Sequence, residues 1–334
     1  MRVTGVSGTV GRELLRQLVQ AEPGDIVGVD NNETEIFFLS EDYRTTANVH
    51  LYLCDVRDRH KLNSLMKGVD IVIHAAALKH VVLCEQSPSD ALQTNIIGTQ
   101  NIIEAAINNG VERVIFTSSD KAVNPTNVMG TSKLMAERLI TAANALRRGG
   151  GPIFSSTRFG NVLGSRGSVV PIFRRQILRG APVTITDARM TRFVMTLSEA
   201  ATLVMDSVFR ARGGEVFITK MPVVKITDLA QAMIEQLSQR NGLDRARIET
   251  VVIGSKPGEK LYEELMSEEE TRRTVELDKY FAVMPAFKTV YHSISYDYED
   301  IVSTEVPTPY NSSAVNPLTL GELVSYLEVG GLLH

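Results

Sequence analysis

Short runs of β-branched and other apolar residues alternate with segments of helical periodicity through the first half of the chain. We predict strands at Val3-Thr4, Ile26 to Val29, His50 to Leu53, Ile71 to Ile73 and Val114 to Thr117. Such alternation is typical of a parallel sheet with helical crossovers. It predicts an α/β fold, with a doubly wound parallel sheet of the Rossmann type and a smaller C-terminal α/β lobe.

Helices are predicted between and after these strands. In the first, Val10, Leu14, Leu15 and Leu18 share one face. The second runs from Pro88 to Asn109 and the third from about Asn127 to Arg147, before a strand from Ile153 to Phe159. Proline at a helix start and glycine just past its end, here Gly110, are typical boundaries. The acidic run Glu268 to Glu270 with Arg272 and Arg273 predicts a solvated helix face.

Charge and composition exclude several kinds of partner and site. Lysine and arginine total 35 against 39 acidic residues, a net charge of −4, so no basic field would attract nucleic acid or an anionic membrane. Two cysteines and six histidines without ligand spacing predict neither a disulfide framework nor a metal site, which favours a reducing cytoplasm. No stretch approaches ~18 uninterrupted apolar residues, so we expect no integral membrane segment.

A glycine-rich turn joins the first strand to the first helix. It reads Gly5-Val6-Ser7-Gly8-Thr9-Val10-Gly11, spaced G-x-x-G-x-x-G. A helix N-terminus favours anions, and glycine lets the backbone approach a phosphate closely. We expect a dinucleotide pyrophosphate here, with Gly5, Ser7, Gly8, Thr9, Val10 and Gly11 as its contacts. An ordinary glycine turn is the alternative.

Polar and small residues after the next strands suit the rest of a dinucleotide. Asp30 closes the second strand, nineteen residues past Gly11, where a carboxylate can accept hydrogen bonds from the ribose hydroxyls and repel a 2′-phosphate. This favours NAD over NADP, although Asp30-Asn31-Asn32 also suits a plain turn. We place Asp55 and Val56 near the adenine, and Ala75 and Ala76 where the cofactor presses on the backbone. Asn95 is expected to brace this edge of the sheet.

The predicted chemical centre follows the fifth strand. Thr117-Ser118-Ser119-Asp120-Lys121-Ala122 ends that strand at the sheet edge where open α/β sheets bind ligands. Met129 and Lys133, four residues apart, share one face of the next helix. Ser119, Asp120, Lys121, Met129 and Lys133 are therefore the candidate catalytic residues. A helix cap followed by surface lysines is the alternative.

Several motifs in this order resemble one family. They are Asp120-Lys121, Asn124-Pro125, Met129-Gly130-Thr131-Ser132-Lys133, Arg158-Phe159-Gly160-Asn161-Val162, Gly164 to Pro171, Asp187 to Phe193 and Lys256-Pro257-Gly258-Glu259-Lys260. Together they resemble the nucleotide-sugar 4,6-dehydratases of the extended short-chain dehydrogenase/reductase superfamily, closest to bacterial UDP-N-acetylglucosamine 4,6-dehydratases. The likeness covers essentially the whole chain. It implies an NAD-binding domain over residues 1–165, completed by 194–219, and a nucleotide-sugar lobe over 166–193 and 220–334.

The resemblance implies a three-step reaction. Hydride leaves C4 of the sugar for the cofactor, water is eliminated across C5 and C6, and hydride returns to C6. It implies Lys121 as the base, which must then be neutral, and Asp120 as the acid, protonated at the elimination step. Lys133 has a positioning role at the nicotinamide ribose. Met129 stands where the superfamily has a tyrosine, and a thioether cannot take a proton, which weakens an epimerase or alcohol-dehydrogenase interpretation.

The nucleotide sugar is expected to meet cations and polar groups of the later motifs. Arg166, Arg192 and Lys256 are the candidates for the diphosphate, because the arginine fork suits phosphate oxygens. The other candidate contacts are Lys79, His80, Asn161, Ser168, Val169 and Glu259, the last ordering the loop around Lys256.

Three alternatives stay open at this point. The chain could be a nucleotide-sugar 4-epimerase or reductase of the same fold, or a catalytically silent NAD-binding module. The nucleotide could be UDP or GDP, and Met129 resembles members that retain the C5 configuration. A homo-oligomer is expected, since helices such as 88–109 and 127–147 often form dimer faces in this superfamily.

Overall fold

A computed structural model describes residues 1–146, 151–255, 257–287 and 294–333. Strand and helix alternate through its first half as predicted. The strands there are Arg2–Thr4 (β1), Ile26–Asp30 (β2), Val49–Leu53 (β3), Ile71–His74 (β4), Arg113–Thr117 (β5) and Ile153–Arg158 (β6). The helices are Thr9–Gln20 (α1), Glu33–Asp42 (α2), Arg59–Leu65 (α3), Val81–Gln86 (α4), Pro88–Ala91 (α5), Gly98–Asn108 (α6) and Val128–Ala143 (α7).

The second half has shorter and more irregular elements. Its strands are Asn161–Val162 (β7), Val183–Ile185 (β8), Thr191–Met195 (β9), Val216–Thr219 (β10), Val223–Lys225 (β11), Thr250–Val252 (β12), Glu264–Met266 (β13), Thr274–Leu277 (β14), Tyr280–Val283 (β15), Ile301–Ser303 (β16) and Tyr310–Asn311 (β17). Its helices are Val169–Leu178 (α8), Leu197–Arg210 (α9), Ile226–Asn241 (α10), Glu268–Thr271 (α11) and Leu320–Val329 (α12).

The main sheet of the described residues has ten strands in the order β16-β14-β15-β10-β6-β5-β4-β1-β2-β3. The seven strands from β3 to β10 are parallel, and β15, β14 and β16 are antiparallel to their neighbours. This confirms the α/β fold class. Strands β14 to β16 lie in the stretch assigned to the sugar lobe, yet they extend the large sheet. The domain boundaries themselves stay a prediction.

Helices α1 and α9 cover one face of this sheet. Leu14, Leu15 and Leu18 of α1 are buried and belong to one apolar cluster with Val204 and Val208 of α9. Burying each leucine contributes roughly 1.5–3 kcal/mol to the stability of the fold. This apolar face therefore holds α1 against the sheet. A separate cluster holds the smaller lobe together, with Phe173 of α8, Met233 of α10 and Leu323 of α12 at its centre.

The predicted helix from Pro88 to Asn109 is not continuous. One turn of α5 is followed by π-helical backbone over Leu92–Ile97, and α6 then continues to Asn108. The buried Asn95 lies in the π-helical stretch, and its amide bonds the backbone of Leu78 instead of facing solvent. An inserted residue of this kind widens a helix locally and re-aims a side chain, which the periodicity of the sequence could not show.

The acidic run before Arg272 and Arg273 was wrongly predicted to be wholly solvated. Glu268 and Glu269 are exposed, but Glu270 is buried and pairs with the buried Arg158 of β6 over 2.8 Å. Arg158 also pairs with the buried Glu137 of α7. Among the helices of the described ranges, none combines the length and apolar character that a bilayer crossing requires.

Candidate active site

One cavity of about 860 Å³ runs from the glycine turn along the carboxyl edge of the parallel strands into the smaller lobe. Every predicted site residue lines it except two. Asp55 is not on its wall, and Lys256 lies outside the described residues. The fold therefore brings candidate residues that are far apart in the sequence to the wall of one continuous cavity.

The glycine turn is shaped by close backbone contacts. Gly5 has φ +70°, and a Cβ there would lie 2.7 Å from the backbone nitrogen of Ala76. A Cβ on Gly11 would lie 2.1 Å from the carbonyl oxygen of Gly5. Glycine is thus required at both positions, and α1 begins directly behind them at Thr9. A helix N-terminus facing a cavity through a turn without side chains fits a dinucleotide pyrophosphate.

The carboxylate of Asp30 is fixed beside this turn. It accepts hydrogen bonds from the backbone N–H of Ser7 over 3.1 Å and of Asn32 over 3.0 Å. Its position at the end of β2 agrees with the predicted ribose contact. Asp55 is engaged elsewhere, because both of its oxygens accept hydrogen bonds from Arg57, which lowers the pKa of Asp55 to about 2. The adenine contact of Asp55 stays a prediction.

An ion cluster that the sequence did not predict lies at the same end. Glu35 of α2 lines the cavity and pairs with Arg166 over 2.7 Å and with Arg12 over 2.9 Å. These cations, Arg166 foremost, lower the pKa of Glu35. The backbone N–H of Arg166 also donates to Thr9 Oγ1. Arg166, predicted for the substrate diphosphate, therefore lies at the glycine turn.

The chemical centre is a tight turn after β5. Asp120 is buried, and its Oδ1 accepts hydrogen bonds from Ser119 Oγ over 2.7 Å and from Lys121 Nζ over 3.0 Å. Gly130 of α7 packs on this turn, since a Cβ there would lie 2.3 Å from the carbonyl oxygen of Lys121. The turn and the start of α7 are thereby held together.

The ammonium group of Lys121 is stabilised in its charged form. Burial by itself lowers the pKa of Lys121, but Asp120 and Glu263 outweigh burial and the net pKa lies above its ordinary value. This arrangement of charges therefore favours the ammonium form of Lys121, whereas the predicted role of base requires the neutral amine. Glu263, buried and 3.6 Å from Lys121 Nζ, is the group that the sequence analysis missed.

Lys133 and Met129 lie together one turn apart on α7. Lys133 is buried, donates to the carbonyl oxygen of Thr117 over 2.9 Å and lies 4.7 Å from the centre of the Phe116 ring. Burial lowers its pKa to about 8. Met129 is also buried and packs with Cys84. Both line the cavity, as the four-residue spacing predicted.

Asn95 braces the loop after β4, as expected. Its side chain accepts a hydrogen bond from the backbone N–H of Leu78 over 2.8 Å and donates to the Leu78 carbonyl and to Ser132 Oγ. This loop carries Lys79 and His80. Lys79 Nζ donates to the carbonyl oxygen of Arg166 over 2.9 Å, so the loop also supports the mouth of the cavity.

Apart from Lys256, the other residues predicted for the sugar and diphosphate line the same cavity as Lys121. Arg192 is buried and donates to the carbonyl oxygens of Thr191, Leu261 and Lys260, so much of its guanidinium is engaged by backbone. Ser168 is the N-cap of α8, and its buried Oγ lacks a hydrogen-bond partner among the described residues. Asn161, Val169 and Glu259 line the same stretch.

Comparison with known proteins identifies the family of the chain. A family model described as polysaccharide biosynthesis protein matches residues 1–285. The chain is 48% identical over 283 residues to a protein of Methanocaldococcus jannaschii named uncharacterized membrane protein MJ1061, covering 85% of each. It is 39% identical over 290 residues to the UDP-N-acetylglucosamine 4,6-dehydratase (inverting) of Campylobacter jejuni, covering 86% of this chain and 83% of that one.

Other relatives widen the range of activities. A Rickettsia prowazekii protein named UDP-glucose 4-epimerase is 39% identical over 290 residues, covering 85% of this chain and 82% of that one. The X-ray structure of Pen from Bacillus thuringiensis matches with a TM-score of 0.92 at 39% identity, covering 100% of this chain and 98% of that one. MoeE5 in complex with UDP-glucose and NAD matches with a TM-score of 0.64 at 25% identity, over 77% and 86% of the two chains.

Proposed function

The chain belongs to the polysaccharide biosynthesis protein family of extended short-chain dehydrogenases/reductases, and on that premise we propose that it is an NAD-dependent nucleotide-sugar 4,6-dehydratase. The proposed substrate is UDP-N-acetylglucosamine and the product a 4-keto-6-deoxy sugar. The observation that carries the proposal is the buried Asp120 bonded to Lys121 on the wall of the cavity that begins at the glycine turn. Dehydration needs an acid and a base at one place, and this pair supplies both.

Residues along the cavity would hold the cofactor in a defined order. The glycine turn would take the pyrophosphate, Asp30 the ribose hydroxyls, and Lys133 the nicotinamide ribose. When bound, NAD would accept a hydride from the sugar and later return it. Asp30 favours NAD over NADP, and MoeE5 was crystallised with NAD.

The chemistry of the chain's own residues follows from the pair. Asp120 in its ionised form would take the proton of the sugar's 4-hydroxyl, directly or through water. It would then give that proton to the departing 6-hydroxyl. Lys121 would take the proton from C5, which the C4 ketone has made acidic, and return it to C5 at the end. Each proton accepted is thus given back, and overall the sugar loses one molecule of water.

The nucleotide would occupy the end of the cavity in the smaller lobe. Its walls there include Phe173, Thr184, Ile226 and Ile253, which suit a flat base. The hydroxyl of Ser168 at the N-terminus of α8 has no hydrogen-bond partner within the part of the chain that the structure describes, and it would meet a phosphate oxygen, where the helix dipole favours negative charge. Lys79, His80, Asn161 and Lys256 are proposed for the sugar and diphosphate. A cytoplasmic location and a homo-oligomer remain predictions.

A 4-epimerase is the second candidate, supported by the Rickettsia relatives named UDP-glucose 4-epimerase. Mass spectrometry after incubation with UDP-N-acetylglucosamine separates the two. A dehydratase product lacks one water, whereas an epimer has the mass of its substrate. Turnover in deuterated water followed by NMR also gives the C5 configuration. Failure to convert any of several UDP and GDP sugars, despite bound cofactor, would favour a silent NAD-binding module.

A further inference from the structure

Two buried carboxyls, those of Asp120 and Glu263, flank the ammonium of the half-buried Lys121. Lys121 Nζ lies 3.0 Å from Asp120 Oδ1 and 3.6 Å from Glu263 Oε1. The second oxygen of each carboxyl, Asp120 Oδ2 and Glu263 Oε2, is buried without a hydrogen-bond partner among the described residues. An unpaired buried oxygen of a charged carboxylate costs more free energy than one of a neutral, protonated carboxyl. One carboxyl of the group can therefore accept a proton.

Glu263 is fixed in place by its backbone. Its N–H donates to Ser312 Oγ over 3.0 Å, and its carbonyl oxygen accepts from the N–H of Ser312, whose hydroxyl lies 2.9 Å from that of Thr191. The side chain faces a second cavity of about 500 Å³, which shares Lys121 with the main cavity. Lys121 thus lines both cavities, whereas Glu263 lines only the second.

Counting protons shows why a second carboxyl matters. In the ionised group one titratable proton is on Lys121, and both carboxyls are charged. Asp120 must be ionised to accept the proton of the 4-hydroxyl, and Lys121 must be neutral to accept the proton from C5. Once Asp120 carries the hydroxyl proton, it cannot also take the ammonium proton, so Lys121 becomes neutral only if that proton moves to another acceptor in the group.

We propose that Glu263 is that acceptor, a positioning residue that takes the ammonium proton of Lys121, so that Lys121 can act as base after Asp120 has taken the proton of the 4-hydroxyl. The proposal rests on the proposed dehydratase function. One N–H bond of Lys121 breaks and one O–H bond of Glu263 forms, so no other reactant is needed. The 3.6 Å separation is an ion-pair distance, and the proposed transfer requires Lys121 Nζ to move closer to Glu263 until the two groups form a hydrogen bond.

Burial and one neighbouring charge make Glu263 a better proton acceptor than an ordinary glutamate. Glu263 faces Asp120, Lys121, Arg192 and Lys260. Burial and the neighbouring Asp120 raise the pKa of Glu263 above its ordinary value, although the three cations oppose this. Arg192 Nε stays 3.7 Å from Glu263 Oε1, so the carboxyl keeps one cation beside it when Lys121 turns toward the substrate.

Glu263→Gln tests the proposal, with the adjacent Glu264→Gln as the matched control. Glutamine can still accept hydrogen bonds from Lys121 and Arg192, so a merely structural role survives, but its amide cannot hold the proton. We expect kcat to fall by about 100-fold at neutral pH with little change in KM. The carboxylate of Glu264 bonds Asn124 and pairs with Lys260, so Glu264→Gln should match the wild type.

The pH profile is the decisive kinetic readout. In Glu263→Gln the ammonium of Lys121 must lose its proton to solvent, so kcat should recover as the pH rises from about 7 to about 9.5. A loss of equal size at every pH would indicate a structural role and overturn the proposal. So would a Glu263→Gln enzyme with wild-type kcat.

A measurement without substrate separates this proposal from the proposed function. NMR titration of the Lys121 side chain should show a lower pKa in Glu263→Gln than in the wild type and no change in Glu264→Gln. An unchanged Lys121 pKa overturns the proposal, even if the protein proves to be a dehydratase. A protein that converts no nucleotide sugar refutes the function, while this titration still tests the exchange.

If Glu263→Gln does not fold, a measurement on the wild-type protein tests the proposal instead. Carbon-13 NMR of the Glu263 carboxyl should then report a pKa above that of an ordinary glutamate. An ordinary or lower pKa would overturn the proposal.

Discussion

The ammonium of Lys133 donates a hydrogen bond to the carbonyl oxygen of Thr117 over 2.9 Å, and no carboxylate pairs with it directly among the described ion pairs. It is a buried cation beside the strand that ends at the chemical centre. Burial lowers its pKa from 10.5 to about 8, so the folded protein loses this proton before the unfolded chain does. The free energy of unfolding therefore contains a penalty below about pH 8 that fades as the pH rises to 10.5.

Lys133→Met should remove this penalty. We expect the variant to gain stability over the wild type below about pH 8, by on the order of 3 kcal/mol before the lost hydrogen bond is subtracted, with the gain shrinking toward pH 10.5. Urea unfolding at several pH values measures the difference. The exposed Lys67→Met is the control, and its difference should not vary with pH in that way. A pH-independent difference for Lys133→Met would show that Lys133 is not a buried, easily deprotonated lysine.

Asp120→Asn should abolish most turnover while leaving the fold intact. Asparagine keeps the shape and can accept the Ser119 and Lys121 hydrogen bonds, but it neither takes nor gives the proton of the sugar hydroxyls. We expect kcat to fall by roughly 10²–10⁴-fold. Steady-state kinetics at a saturating substrate concentration measures this, and cofactor content by absorbance serves as the control. Near wild-type turnover would rule out the acid role of Asp120.

Gly11→Ala should prevent cofactor binding. Its new Cβ would lie 2.1 Å from the carbonyl oxygen of Gly5, so either the turn or the start of α1 must move. Gly24→Ala is the matched control, because a Cβ there meets nothing within 4 Å. Calorimetric titration with NAD should give binding for the control and none for Gly11→Ala. Equal affinity in both variants would mean that the pyrophosphate does not sit on this turn.

Glu270→Gln should destabilise the whole protein. Glu270 accepts two hydrogen bonds from the buried Arg158, and the amide of a glutamine there would place an NH2 group against one of these donors and leave it unpaired. We expect a loss of about 3 kcal/mol at neutral pH. The arginine lowers the pKa of Glu270 to about 2, so its contribution is present above about pH 4.5 and is lost as the pH falls toward 2. The exposed Glu268→Gln is the control in thermal unfolding, and equal melting temperatures would contradict this account.

The sequence predicted most of the first half because each signal there was local. Strand-forming runs, the glycine turn and the Met129 to Lys133 spacing depend on neighbours a few residues apart, and all three are found where expected. Glu263, Glu35 and Glu270 were missed because each acts on residues far along the chain. Glu270 bonds Arg158 across 112 positions. The sequence does not distinguish among the acidic residues between Glu263 and Glu270, because only the fold determines which of them are buried. The charged state of Lys121 could not be predicted for the same reason, because it depends on the distant Glu263.

Met129→Leu should leave most of the activity in place. Met129 stands where the superfamily has an acid–base tyrosine, yet a thioether cannot carry a proton, so its contribution here must be shape. It is buried and packs with Cys84 and Ala91, and a swap of methionine for leucine nearly conserves volume, costing less than ~1.5 kcal/mol. We expect kcat within about threefold of the wild type, measured with its pH profile. Met129→Ala, which opens a cavity beside Lys133, should lose more. A collapse of kcat in Met129→Leu with intact cofactor binding would mean that the sulfur itself touches the reacting groups, and the assignment of all proton transfers to Asp120 and Lys121 would then fail.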